Sequence, residues 1–179
     1  MSDNSQSVYP EPTKSEAPSR NILSIIVDNE PGILSRIVGL FSGRGYNIEA
    51  LNVTVVNQND NLSRITIESY GKKKVISQII SQLEKLVPVH SARNLASYDK
   101  SFEAEICLVK ILLLIDNVDK KLNSLADIYR ARIVYKEDKI VIYEISGTSE
   151  RVNKFLSDLS DISGITTEIV RSGPIGLGQ

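Results

Sequence analysis

The residues that build disulfides and most metal sites are scarce in this chain of 179 residues. Cys107 is the single cysteine, so no internal disulfide can form, as is usual in a reducing compartment. His90 is the single histidine, so one chain cannot build a zinc site from Cys and His side chains. Carboxylate-only metal sites stay open, but no Asp/Glu cluster has the spacing of a calcium loop. We therefore predict no metal site.

Strong charge of one sign and long hydrophobic runs are also lacking. The 21 basic and 22 acidic residues leave a net charge of −1, so no general field draws the protein to nucleic acid or anionic membrane. The longest apolar run, Ile106 to Ile115, is interrupted by Lys110 and is about half a membrane span. The N-terminus has no apolar signal-peptide core. We expect a cytoplasmic protein that binds neither nucleic acid nor membrane.

Recognisable catalytic motifs are missing too. The sequence has no nucleophile elbow, no phosphate-binding glycine loop and no constellation of nucleophile, base and orienting group. Gly43-Arg44-Gly45 follows a helix pattern instead of a strand, which indicates a helix end. We predict no catalytic residue, and an independent enzyme is the least favoured function.

The chain does have the composition of a folded protein, with 41% hydrophobic and 24% charged residues. Residues 1–20 differ, because they are rich in serine, proline and charge and have no hydrophobic period. Such a segment cannot bury enough surface to offset its ordering entropy, so we predict a disordered tail.

Hydrophobic periodicity predicts the order β-α-β-β-α-β for residues 21–96. The predicted strands are Ile22 to Val27, Tyr46 to Val56, Leu62 to Tyr70 and Val89 to Leu95, and the apolar helix stripes cover residues 34–41 and 75–83. The same plan restarts in residues 97–179 and ends in a glycine-rich tail from Ser172 to Gly178. We therefore predict an α+β protein made of two tandem ferredoxin-like domains.

The most informative stretch is the turn between the first strand and helix, from Asp28 to Leu34. Its Pro31 and Gly32 allow a sharp turn, and the first amides of the helix are a place for a carboxylate or phosphate. The Asn29 carboxamide could accept a hydrogen bond from an ammonium group. From spacing alone, a turn that binds only water is the more common case.

Two residues at the predicted start of the second strand extend this hypothesis. We expect Asn47 to lie on the same edge of the sheet as the Asn29 loop, with Ile48 lining a pocket for an aliphatic side chain. The candidate ligand is a small amino acid, and the predicted contacts are Asn29, Gly32, Ile33, Leu34, Asn47 and Ile48. An RNA-binding domain of the same plan is disfavoured, because it needs aromatic side chains on its central strands and only Tyr70 is aromatic there.

Several motifs, in order, resemble one protein family. They are residues 29–36 (NEPGILSR), 39–42 (GLFS), 44–49 (RGYNIE), 62–67 (LSRITI), 82–87 (QLEKLV), 108–111 (LVKI) and 170–173 (VRSG). From about Asn21 to Gly178 the chain resembles the regulatory (small) subunit of acetolactate synthase, also called acetohydroxyacid synthase.

This resemblance implies that residues 21–96 form an ACT domain, whose dimers bind a branched-chain amino acid at their interface. It implies no active site in this chain and a separate catalytic subunit that uses thiamine diphosphate, magnesium and, usually, FAD. The small subunit would raise the activity of that partner and confer feedback inhibition by valine, or in some members by leucine or isoleucine.

The family positions for effector contact fall on Asn29, Gly32, Asn47 and Ile48. Two features depart from the family pattern: Asp28 stands where glutamate is common, and the N-terminal polar segment is longer than in most bacterial members. A free-standing ACT-type amino-acid sensor without an enzyme partner is the alternative function, and a co-purified or co-encoded synthase would separate the two.

Overall fold

The structure is a computed structural model that describes residues 17–57, 59–115 and 118–179. The first unit contains β1 (Ser19–Asp28), α1 (Ile33–Ser42), β2 (Ala50–Asn57), β3 (Leu62–Gly71), α2 (Lys73–Leu83) and β4 (Val89–Asn94). A 3₁₀ turn (Leu95–Ser97) leads to the second unit, with β5 (Ser101–Leu113), α3 (Asp119–Tyr129), β6 (Arg132–Glu137), β7 (Ile140–Gly147), α4 (Ser149–Ser160), β8 (Ile165–Arg171) and β9 (Ile175–Gly178).

Each unit is a four-stranded antiparallel sheet with two helices on one face. The strand orders are β2-β3-β1-β4 and β6-β7-β5-β8, and β9 pairs with the first part of β5. The predicted fold class, two tandem βαββαβ units of the α+β class, is confirmed. In both sheets the first strand of the unit is central, so each unit is organised around β1 or β5.

Alternating side chains build the first core on the helix-covered face of its sheet. Ile25 of β1 pairs with Ile65 of β3, and Leu23 pairs with Ile67. All four are buried with Ile37 and Phe41 of α1. Burying one such side chain contributes about 1.5–3 kcal/mol, so the period-2 pattern and the helix stripe fix the register of this layer. A separate cluster forms the core of the second unit.

Three boundaries differ from the sequence-based expectations. The strand β1 already begins at Ser19, so the last two residues of the predicted tail are ordered strand, whereas residues 1–16 lie outside the described residues. The strand β2 begins at Ala50 instead of Tyr46, because the Tyr46 amide donates to the Phe41 carbonyl at 3.1 Å and stays with the end of α1. The glycine-rich tail contains β9, which pairs with residues 101–104.

The described part of the chain has short helices and scattered His, Cys, Asp and Glu side chains. None of its helices is long and apolar enough to cross a membrane. In the same residues, no group of three or more His, Cys, Asp or Glu side chains could hold a metal ion.

Candidate functional site

The loop after β1 is held by backbone hydrogen bonds, which leave the Asn29 side chain free to bind a ligand. The Asn29 amide donates to the Asn61 carbonyl at 2.7 Å, and the Asn61 carboxamide donates back to the Asn29 carbonyl at 3.2 Å. The Asn29 carboxamide itself is exposed and has no hydrogen-bond partner among the described residues. A polar group on a fixed backbone is thereby presented to solvent beside the start of α1.

The start of α1 lacks a side-chain cap. Gly32 occupies the N-cap position in the left-handed region (φ 87°), and no side chain bonds to the first turn. The Ile33 amide makes one long bond of 3.4 Å to the Glu30 carbonyl, and within the described residues no backbone acceptor faces the amides of Gly32 and Leu34. Unpaired amides at the positive end of a helix can bind a carboxylate.

The two residues after Gly32 differ in what they offer a ligand. Ile33 is 6% exposed and belongs to the first core, so only its backbone can contribute to a site. Leu34 is 37% exposed and faces outward from α1. An apolar ligand group could therefore contact the Leu34 side chain without disturbing the core.

The second group of predicted contacts lies in the loop before β2. The Asn47 carboxamide donates to the Glu49 carboxylate at 3.0 Å, and the Asn47 carbonyl accepts from the Ser69 hydroxyl at 2.7 Å. Asn47 is exposed, whereas Ile48 is partly buried and packs against the first core. This loop, like the Asn29 loop, presents a carboxamide from a fixed backbone.

The two loops do not meet within one chain, so the expectation that Asn47 shares a sheet edge with Asn29 was wrong. Asn47 bonds to Ser69, which pairs with Asn21 near the start of β1, whereas Asn29 follows its end. Eight strand residues span about 26 Å. The physical reason is the helix α1, which carries the chain back along the sheet so that β2 runs parallel to β1.

The strand between these loops is an exposed sheet edge. Among the strands of the described residues, only β3 pairs with β2. On the helix-covered face of β2, the apolar side chains Leu51, Val53 and Val55 are between 36% and 51% exposed. An unpaired edge with a row of exposed apolar side chains is a surface that another strand can cover.

Sequence reasoning did not single out two serines on β3 that mark the ends of the sheet. Ser63 and Ser69 are 3% and 0% exposed. Ser69 is bonded to Asn47, but the Ser63 hydroxyl is buried without a partner in the described residues. Their two-residue spacing from Ile65 and Ile67 was the available signal, because it assigns them to the same buried face.

Comparisons with known proteins agree with the motif resemblance. Residues 23–91 match the family described as AHAS small subunit-like ACT domain, and residues 104–179 match the family described as small subunit of acetolactate synthase. The chain is 42% identical over 160 residues to the acetolactate synthase small subunit of Haemophilus influenzae, covering 89% of this chain and 96% of that protein. It is 40% identical over 161 residues to the isozyme 3 small subunit of Escherichia coli, with the same coverage.

A solved structure also matches both units. The crystal structure of the acetolactate synthase small subunit from Thermotoga maritima aligns with a TM-score of 0.75 at 29% identity. The alignment covers 90% of this chain and 98% of the other. The similarity therefore extends over both units and not over the first alone.

Proposed function

Because the chain belongs to the acetolactate synthase small-subunit family, we propose that it is the regulatory subunit of an acetolactate synthase and binds valine as its feedback effector. In this proposal the chain activates a separate catalytic subunit. Thiamine diphosphate, magnesium and FAD belong to that partner, and the chain itself carries no catalytic residue. The complex works in the cytoplasm.

One observation supports this ligand site: the Asn29 loop and the Asn47 loop lie at opposite ends of the exposed edge strand β2. Homodimers are most often related by a two-fold axis, so that the same patch meets itself. If two copies of β2 pair antiparallel, the end of one strand lies beside the start of the other. The Asn29 loop of one protomer then faces Asn47 of the partner subunit, and a site divided in each chain is completed twice in the dimer.

The chemistry of both loops suits a zwitterionic amino acid. Its carboxylate can accept from the free amides of Gly32 and Leu34. Its ammonium needs oxygen acceptors, which the Asn29 carboxamide provides without depending on pH. Leu34 and Val55, both exposed in the single chain, supply an apolar wall for an aliphatic side chain. This set supports a branched-chain amino acid over a charged one.

The function is tested by adding the purified chain to its cognate catalytic subunit and measuring acetolactate formation from pyruvate. We expect no turnover by the chain alone, higher turnover by the mixture than by the catalytic subunit alone, and inhibition of the mixture by valine. Leucine and isoleucine are the parallel arms, because a pocket separates ligands that differ by one methylene by only about 1–3 kcal/mol. Valine binding without any effect on the catalytic subunit would favour a free-standing sensor.

The site is tested by Asn29→Ala, with Gln78→Ala as the control that removes another exposed carboxamide from the same unit. A hydrogen bond to a charged group is worth about 1.5–3 kcal/mol, so valine affinity should fall about ten- to a hundred-fold. The variant should still activate the catalytic subunit, and Gln78→Ala should match the wild type. Full valine sensitivity in Asn29→Ala would refute the assignment.

A further inference from the structure

A cluster of charged side chains joins the two units at the start of β1. The Arg20 guanidinium hydrogen-bonds to Glu68 of β3, to Glu103 of β5 at 2.7 Å and to the Ser149 hydroxyl of α4 at 2.7 Å. The Ser149 amide, at the start of α4, donates to Glu103 at 3.3 Å. One side chain of the first unit thus contacts a strand and a helix of the second.

The cluster is partly shielded from water, which strengthens its contacts. The side chains of Arg20, Glu68 and Glu103 are 29%, 15% and 21% exposed. They line a cleft of about 750 Å³ between the units. Burial lowers the pKa of Arg20, but its hydrogen bonds to Glu68 and Glu103 and their negative charges together raise it by more. The net shift of the pKa is upward, so the group stays cationic.

This cluster is connected to the Asn47 half of the proposed ligand site. Asn47 bonds to the Glu49 carboxylate at 3.0 Å, and the Glu49 amide donates to the Glu68 carbonyl at 2.9 Å. The Glu68 carboxylate in turn holds Arg20. Three consecutive polar contacts therefore lead from the candidate ligand contact to Arg20, and a fourth, from Arg20 to Glu103, reaches the second unit.

A second attachment lies nearby on β2. The Asn52 carboxamide donates to the carbonyls of Ser172 and Pro174 at 3.0 and 3.3 Å. Gly173 lies between them, with φ 74°, and a Cβ built there would be 2.6 Å from the Ala50 Cβ. In the described residues, no hydrogen bond links the Asn29 loop to the second unit. The hydrogen bonds that attach the second unit therefore start from Arg20, at the Asn47 end of the first sheet, and from Asn52 of β2.

We propose that Arg20 is a positioning residue that transmits occupancy of the ligand site to the second unit, so that feedback inhibition needs this junction while ligand binding does not. This inference rests on the proposed function. An effector bound between the Asn29 loop and Asn47 of the partner subunit contacts a loop that is fixed to Glu68 and Arg20. A ligand shifts a conformational equilibrium only towards the state that it binds better. Because Arg20 links the Asn47 loop to the second unit, the relative arrangement of the two units belongs to that state.

The test uses the full chain with its cognate catalytic subunit and the variant Arg20→Gln, which removes the charge and two of the donors. Valine binding to the isolated chain is measured by calorimetry, and activation and valine inhibition are measured in the mixture. We expect a valine Kd within about threefold of the wild type and unchanged activation. The ratio of uninhibited to inhibited activity should fall at least about fivefold, because allosteric coupling is typically of that size or larger. Arg20→Lys should be intermediate, because a lysine keeps the charge but not the fork of donors.

Two variants make the result decisive. Arg132→Gln removes an ion pair of 2.8 Å to Glu144 that lies wholly in the second unit, and it should behave as the wild type. Glu103→Gln keeps the shape and one acceptor, and it decides the question if Arg20→Gln does not fold. Retained inhibition in the junction variants overturns the inference, as does a parallel loss of valine binding or of activation. Failure of the wild-type chain to bind valine would instead refute the proposed function.

Discussion

At one end of β3 the Ser69 hydroxyl donates to the Asn47 carbonyl at 2.7 Å, whereas at the other end the equally buried Ser63 hydroxyl has no partner in the described residues. The same contrast extends to the surroundings. The Asn47 end is joined to the second unit through Arg20 and Gly173, and the Asn29 end has an uncapped helix and a free carboxamide.

The contrast between the two ends indicates how one small sheet can serve two tasks. Buried polar groups without partners cost free energy, so a fold tolerates them only at a few places. Here, within the described part of the chain, the Asn29 end has the buried Ser63 hydroxyl without a partner and the free helix amides that are proposed to bind the effector. The Asn47 end is held by hydrogen bonds, which suits it to transmit the effect of binding. Four substitutions test this contrast between the two ends of the sheet.

The largest effect is expected from Val53→Asp, which challenges the pairing that would bring the two ends together. Val53 is 51% exposed near the middle of β2, so a two-fold axis would place two carboxylates close together. A buried unpaired charge costs about 3–5 kcal/mol, so dimer affinity should fall at least about a hundred-fold and valine binding should be lost with it. Sedimentation equilibrium at micromolar concentration measures this, and Ile128→Asp, on the exposed face of α3, is the control. A dimer as tight as the wild type would contradict the proposed interface.

A smaller loss is expected from Gly173→Ala at the junction. A left-handed conformation costs a non-glycine residue about 1–2 kcal/mol, and overpacking adds about 1–3 kcal/mol, so the free energy of unfolding should fall by about 2–5 kcal/mol. Gly45 has a similar φ of 69° with no atom within 4 Å of a built Cβ. Gly45→Ala should therefore lose only the conformational part. Urea denaturation compares the two, and equal losses would show that the contact with Ala50 does not matter.

Ser69→Ala should destabilise the satisfied end of the sheet by about 1–2 kcal/mol, because it removes a hydrogen bond from a fully buried position. The matched control is Ser77→Ala, whose hydroxyl donates to the Lys73 carbonyl at 3.0 Å on the exposed side of α2. That change should stay within about half a kcal/mol. Thermal unfolding at one protein concentration measures both, and an unaffected Ser69→Ala would remove the contrast between the two ends.

The smallest effect, and the only one of opposite sign, is expected from Ser63→Ala. Removing a buried hydroxyl that has no partner should raise the free energy of unfolding, by about 1 kcal/mol at most. The same unfolding experiment measures it. A loss of stability would mean that the Ser63 hydroxyl has a partner in solution, and the two ends of the sheet would then be alike.

Much of the fold could be predicted because its residues repeat with the period of the element that they form. The alternation of Ile65 and Ile67 and the helix stripe through Ile37 and Phe41 specify the core side of each element. The first turn was also readable, since Pro31 and Gly32 mark it locally. In contrast, the sequence pattern predicts a tail where β9 forms, because a short glycine-rich strand is stabilised by its partner β5 and not by its own periodicity.

Only part of the candidate site could be predicted from the sequence, for a similar reason. Asn29 and Gly32 follow from local turn chemistry, and the structure keeps them together. The end of the sheet at which Asn47 lies depends on where α1 returns the chain, which residue types alone do not reveal. Arg20 was assigned to the tail, because its partners Glu68 and Glu103 are distant in sequence. The roles of Asn29, Gly32 and Asn47 as effector contacts remain predictions.

The pairing of β9 with β5 has a consequence for the connectivity of the second unit. Ser101 lies opposite Gly178 in this ladder, so the unit begins and ends at the same point in space. Such closely spaced ends permit circular permutation. A second unit whose Gly178 is joined to Ser101 by a short linker, and which is reopened at the polar turn between β6 and β7, would keep every strand pairing in a different chain order.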